Sequence, residues 1–111
     1  MPNTFKNAMV PSVGTSNTTC YTAPSGSQTT LIGLSIANRS NVDISIDASM
    51  RDFSNSNSET FIIVGAPIPV GSALVIIGGD QKVVMESGDS LNVRSSVASS
   101  ADVITSMLEI T

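Results

Sequence analysis

The chain has no histidine, no tryptophan, one cysteine, four aromatic residues and only five basic side chains among 111 residues. Without histidine there can be no Ser-His-Asp triad, no Cys-His pair and no imidazole metal ligand. Without tryptophan, and with only Phe5, Tyr21, Phe53 and Phe61 as rings, the aromatic platform that sugar rings stack on has little material. The lone Cys20 cannot close an internal disulfide, so stability must come from packing or assembly. Lying among threonines in a strand-like stretch, Cys20 is expected to be a small buried apolar residue rather than a nucleophile. Lys6, Arg39, Arg51, Lys82 and Arg94 are scattered, and the net charge is −4. Nucleic-acid binding draws on clustered Lys and Arg, so it is not expected. The first residues lack a charged start and apolar core of a signal peptide, and no run is long enough to span a bilayer, which predicts a soluble product of the cytoplasm with no membrane partner.

What is abundant is serine, threonine and asparagine between short apolar runs. From residue 74 to 110 these runs are cut by Gly78-Gly79-Asp80, Ser87-Gly88-Asp89-Ser90 and the stretch 95–101. Gly and Asp supply the reversals, and the segments between them are too short and too β-branched for helices. Even residues 99–107, where Ala101 and Ile104 suggest a helix, favour strand through Val103-Ile104-Thr105. Earlier in the chain, residues 18–22 and 29–38 read as strands around the turn Pro24-Ser25-Gly26-Ser27, with Ile32, Leu34 and Ile36 on one face. The clearest alternation places Val42, Ile44, Ile46, Ala48 and Met50 inward and Asp43, Ser45, Asp47, Ser49 and Arg51 outward. Residues 52–59 are an exposed polar loop. Residues 1–17 form an N-terminal arm or edge strand, and 18–111 a single domain. The expected fold is an all-β antiparallel sandwich, jelly-roll or Greek-key-like, of about eight strands.

Two runs break the alternation, Phe61-Ile62-Ile63-Val64 and Leu74-Val75-Ile76-Ile77. A continuous apolar run needs cover on both faces. Cover can come from the arm, from the connector Ala66-Pro67-Ile68-Pro69-Val70, whose prolines exclude it from a central ladder, or from another subunit. The candidate interface residues are therefore Phe61, Ile63, Ile68, Val70, Leu74, Ile76, Phe5 and Met9. No catalytic residue, cofactor site or metal site is expected. Asp43 and Asp47 are four strand residues apart, roughly 13 Å, too far to share a metal on their own. The glycine turns open no helix and carry no phosphate-loop lysine. A calcium site from Asp80, Glu86 and Asp89 matches no loop spacing. The sequons at Asn17 and Asn38 fall in a chain rich in Ser, Thr and Asn that lacks an export signal, and read as coincidental.

The order of Tyr21-Thr22-Ala23-Pro24-Ser25-Gly26, Leu31-Ile32-Gly33-Leu34-Ser35-Ile36-Ala37-Asn38, Pro67-Ile68-Pro69-Val70-Gly71, Met85-Glu86-Ser87-Gly88-Asp89-Ser90-Leu91 and Ser106-Met107-Leu108-Glu109-Ile110 resembles small virion structural proteins of tailed bacteriophages, including those of cyanobacterial phages. The resemblance covers nearly the whole chain and rests on structural turns. It implies assembly without catalysis: a capsid decoration or cement protein, or else a neck or tail component, made in the host cytoplasm and carried in the virion. The implied partners are the major capsid protein or another virion protein, and further copies of the chain. From a different class, a host-receptor or glycan-binding module would need an exposed aromatic or a metal-dependent loop.

Overall fold

The computed structural model describes residues 3–78 and 82–110. Among these residues nine strands form: β1 (Asn3–Val13), β2 (Thr18–Thr22), β3 (Gln28–Asn38), β4 (Ile44–Asp52), β5 (Ser58–Ile68), β6 (Ala73–Ile77), β7 (Val83–Met85), β8 (Ser90–Ser95) and β9 (Ala101–Ile110). One sheet, sheet A, runs β1-β9-β3-β6 with β7 also on β3, and the other, sheet B, runs β2-β8-β4-β5. Every pairing is antiparallel. The pairs β1 with β9, β2 with β8, β3 with β6 and β7, and β4 with β5 are nested, like the rungs of one long hairpin whose tip is the 3-10 turn Phe53–Asn55. Rolling that hairpin so that β9 also meets β3 and β8 meets β4 gives a jelly roll, with β6 and β7 sharing one lane.

The core lies between the sheets. In sheet A it is built from rows that register fixes: Val10, Val103, Ile36 and Leu74 in one, Ala8, Thr105, Leu34 and Ile77 in the next, then Met107, Leu31 and Val83, with the half-exposed Lys6 closing this last row at the edge. Ile44, Ile46, Ala48, Leu91 and Val93 answer from sheet B. Residues opposite one another on neighbouring strands share a face, so each row points inward together. Buried polar side chains are satisfied locally. Asn38 donates to the carbonyls of Val42 and Ile68 at 2.8 and 2.9 Å and accepts from the Ser40 amide and hydroxyl.

Several expectations need correction. Val42 is exposed, because β4 begins only at Ile44 and the preceding turn carries Val42 outside the sandwich. Ile32 does not share a face with Leu34 and Ile36: pairing with β9 slips between Leu31 and Gly33, so Leu31 takes the core position. Ala66, Pro67 and Ile68 are not a connector but the end of β5, where Pro67 is tolerated because β5 is an edge strand. Ile68 is buried and cannot face a partner. The N-terminal segment, expected as an arm or edge strand, takes the second form and pairs with β9 from Asn3 to Val10 at the edge of sheet A.

The two unbroken apolar runs have a local cause. In β5 the register slips twice against β4, between Ile46 and Ala48 and between Ala48 and Ser49, leaving extra residues in β5. In β6 it slips between Leu34 and Ser35 of β3, so that Leu74 and Ile77 both oppose core residues with Val75 and Ile76 between them. A bulge adds a residue and resets the inward-outward alternation. The bulges therefore turn part of each run toward the core, while Phe61, Val64 and Val75 stay exposed. Of the turn Gly78-Gly79-Asp80, only Gly78 lies within the described residues.

Candidate assembly interface

The outer faces of the two sheets differ in kind. On sheet A, register aligns Met9, Ile104, Ser35 and Val75 in one outward row and Phe5, Leu108, Thr30 and Val84 in another. Phe5, Met9, Ile104, Val75 and Val84 are 76%, 66%, 49%, 68% and 62% exposed. Asn7, Ser106 and Gly33 separate the rows. A shallow depression of about 240 Å³ runs between Met9, Val10 and Pro11 on one side and Asp102, Val103 and Ile104 on the other. Burial of these side chains against a second surface is the favourable event this face offers, since apolar area removed from water is stabilising.

Sheet B leaves Phe61 and Val64 exposed on its edge strand β5, but elsewhere its outer row is polar and its groups already serve one another. Arg94 Nε donates to Asp47 Oδ2 at 2.8 Å, Thr19 Oγ1 to Asn92 Oδ1 at 2.7 Å, and Ser49 Oγ to Glu59 Oε2 at 2.6 Å. Asp47 Oδ1 accepts from the amide of Gly65 at 2.7 Å, and that bond, with the Arg94 guanidinium, holds the Asp47 carboxyl below the usual carboxylate range against the opposing pull of desolvation. Asp43 likewise accepts from the amide of Val70 at 3.1 Å. Both aspartates thus satisfy backbone amides in and just beyond β5, where bulges and Pro67 deprive the strand of ladder partners.

The expected interface residues are divided by the fold. Phe5 and Met9 come together on the outer face of sheet A. Val70 is exposed beyond the end of β5. Phe61 is exposed and lines a cleft of about 320 Å³ with Met50, Ile62, Val83 and Val84. Ile63, Leu74 and Ile76 are half-buried and pack against the core. Val75 lies in the 74–77 run that the sequence singles out, but sequence reasoning misses Ile104 and Val84, although Val103-Ile104 and Val83-Val84 each place an apolar residue on both faces of a strand. That doubling is the available signal.

The chemistry-bearing groups are occupied structurally. Cys20 is buried and desolvation pushes its thiol up to about 11. Asp89 accepts from the amides of Phe53 at 3.1 Å and Glu86 at 3.0 Å, tying two turns together. Among the described residues there is no group of three or more Cys, Asp or Glu placed to hold a metal ion; Asp80 of the calcium triplet lies outside them. Glu109, buried, accepts from the Tyr21 hydroxyl and pairs with Lys6 at 3.0 Å. These contacts hold its carboxyl below the ordinary range, while burial and the carboxylate push the Tyr21 hydroxyl up to about 12.

The sequence matches no protein-family model and no curated protein. Solved structures do share the fold. A chain of the T13 particle of infectious bursal disease virus superposes with a TM-score of 0.61 at 7% identity, covering 96% of this chain and 30% of that one. The chain therefore spans less than a third of that viral chain. A chain from the acid-stable capsid of Helicobacter pylori bacteriophage KHP30 superposes with a TM-score of 0.58 at 11% identity, covering 98% of this chain and 93% of that one. A chain of the disulfide-linked pili that form Bacillus endospore appendages superposes at 0.52 and 8% identity, covering 98% and 88%. The chain has a viral capsid-like β fold.

Proposed function

We propose that this chain is a non-enzymatic virion structural protein, most specifically a capsid decoration or cement protein that docks the outer face of sheet A on the shell. The observation that carries this reading is the contrast between the faces: sheet A exposes two largely apolar rows spanning its strands, whereas sheet B exposes Phe61 and Val64 at its edge and its polar groups are already paired within the chain. Support comes from the likeness to a phage capsid chain of nearly equal length. A small domain of this kind acts by contact area. Copies that bind only the assembled shell shift the assembly equilibrium toward it, and several contacts per copy multiply the effect. Disulfide-linked fibre assembly of the pilus type is disfavoured by the chain itself, because a linear covalent fibre needs two thiols per subunit and this chain has one, buried. The partner on this reading is the major capsid protein or another virion protein.

The test is binding to particles stripped of the protein. Ile104→Asp and Val75→Asp place unpaired charges on the docking face and should weaken binding more than about a hundredfold, since burying an unpartnered charge costs several kcal/mol. Thr22→Asp, an exposed change on sheet B, should bind like the parent. Equal binding by all three folded variants would overturn the assignment of the face.

A further inference from the structure

We propose that the free edge of β1 pairs with β1 of a second copy of this chain, antiparallel about a two-fold axis through Asn7. Four lanes end the two sheets, and three are blunted by devices that stop strands from adding. β5 is bulged twice, contains Pro67, and has the amides of Gly65 and, just past its end, Val70 taken by Asp47 and Asp43. β2 is five residues long and slips register at Cys20. β6 and β7 are five and three residues and share their lane. β1 is different: residues 3–10 keep one uninterrupted register with β9, with no proline and no positive φ, until Pro11, Ser12 at φ 59° and the shift before Val13 end the stretch. A long regular edge with exposed apolar side chains is a template for another strand.

The stretch is also complementary to itself. With Asn7 opposite Asn7 of the partner subunit, Phe5 falls opposite Met9 of the partner subunit and Met9 opposite the partner's Phe5, giving two thioether–ring contacts on the outer face. The apolar row through Phe5 and Leu108 then continues into the partner's row through Met9 and Ile104. Moving the axis to Lys6 would set two ammonium groups face to face, and moving it to Ala8 would set Phe5 against Pro11. The only charge in the stretch, Lys6, is turned back to Glu109 of its own subunit, so it leaves the pairing edge nearly neutral. An isologous contact of this kind closes on itself as a dimer rather than growing into a fibre.

The inference stands apart from shell binding and is tested on the free chain. Asn7→Cys should form a covalent dimer in glutathione buffer under native conditions, because the two positions face each other across the axis. Thr4→Cys should not, because it lies six positions from its own copy, about 20 Å, beyond disulfide reach. Sedimentation of the unmodified chain should show a dimer growing in with concentration, and Asn7→Lys, with circular dichroism as the folding control, should remain monomeric. The cysteine contrast decides: crosslinking of Asn7→Cys no faster than that of Thr4→Cys overturns the two-fold pairing.

Discussion

Lys6 on β1 and Glu109 on β9 are diagonal neighbours across the pair, Lys6 standing opposite Met107, and their charged atoms lie 3.0 Å apart. Glu109 also accepts from Tyr21 of the other sheet, and Tyr21 in turn meets Thr29 of β3 at 2.9 Å. One carboxylate therefore ties the edge strand to its neighbour and both sheets to each other.

This arrangement predicts acid sensitivity of a definite sign. Glu109 and Asp47 are held below their ordinary range in the folded chain, so on acidification the unfolded state takes up protons first. The stabilisation they give is fully present above the unfolded value, about 4, and is lost as pH falls through the folded values. The melting temperature should drop below about pH 4. Glu109→Gln should cost about 1 kcal/mol at neutral pH, by weakening the charge-assisted bond from Tyr21 while half-exposed Lys6 turns to water, and should make the acid fall shallower. An identical fall in parent and variant would show that Glu109 does not contribute to it.

Core and face should respond differently to truncation. Ile46→Ala removes a fully buried side chain and should cost about 2–4 kcal/mol in denaturant unfolding. Ile104→Ala, on the outer face of sheet A, should cost less than about 1 kcal/mol. Comparable losses would mean that Ile104 is part of the core of the isolated chain.

Gly65 in β5 has φ +65°, and a Cβ added there would meet nothing within 4 Å, so the cost of a side chain at this position is conformational. Gly65→Ala should destabilise by about 1–2 kcal/mol, and Gly65→Asn by less, because Asn tolerates the left-handed region better. Midpoints of urea unfolding at constant slope measure both.

The Cys20 thiol should be nearly inert to an aromatic disulfide reagent in the native chain at pH about 8, since its thiolate is scarce and its sulfur buried. Addition of denaturant should release one equivalent at once. Rapid native labelling would contradict the burial of Cys20.

Much of this fold is legible locally. The alternation of Ile44, Ile46 and Ala48, the Pro24 to Ser27 turn and the Ser87 to Ser90 reversal all specify strands and their ends without tertiary information. The bulges are not legible, because a slip at Ile32, Ile62 or Ile76 is decided by the opposing strand, and the residues on either side are equally apolar. For the same reason the runs at 61–64 and 74–77 look like covered surfaces when they are partly core. The proposed docking face is assembled from β1, β9, β3, β6 and β7, so no window of sequence contains it. Phe5 and Met9 stand out only because their surroundings are polar.

The most direct test of the central claim is a reconstruction of the intact particle that carries this chain. The account predicts the jelly roll on the capsid exterior, with Met9, Ile104 and Val75 against the shell and the Arg94–Asp47 face turned to solvent. Density placing the chain in the neck or tail, or on the capsid with the apolar rows of sheet A facing solvent, would contradict it.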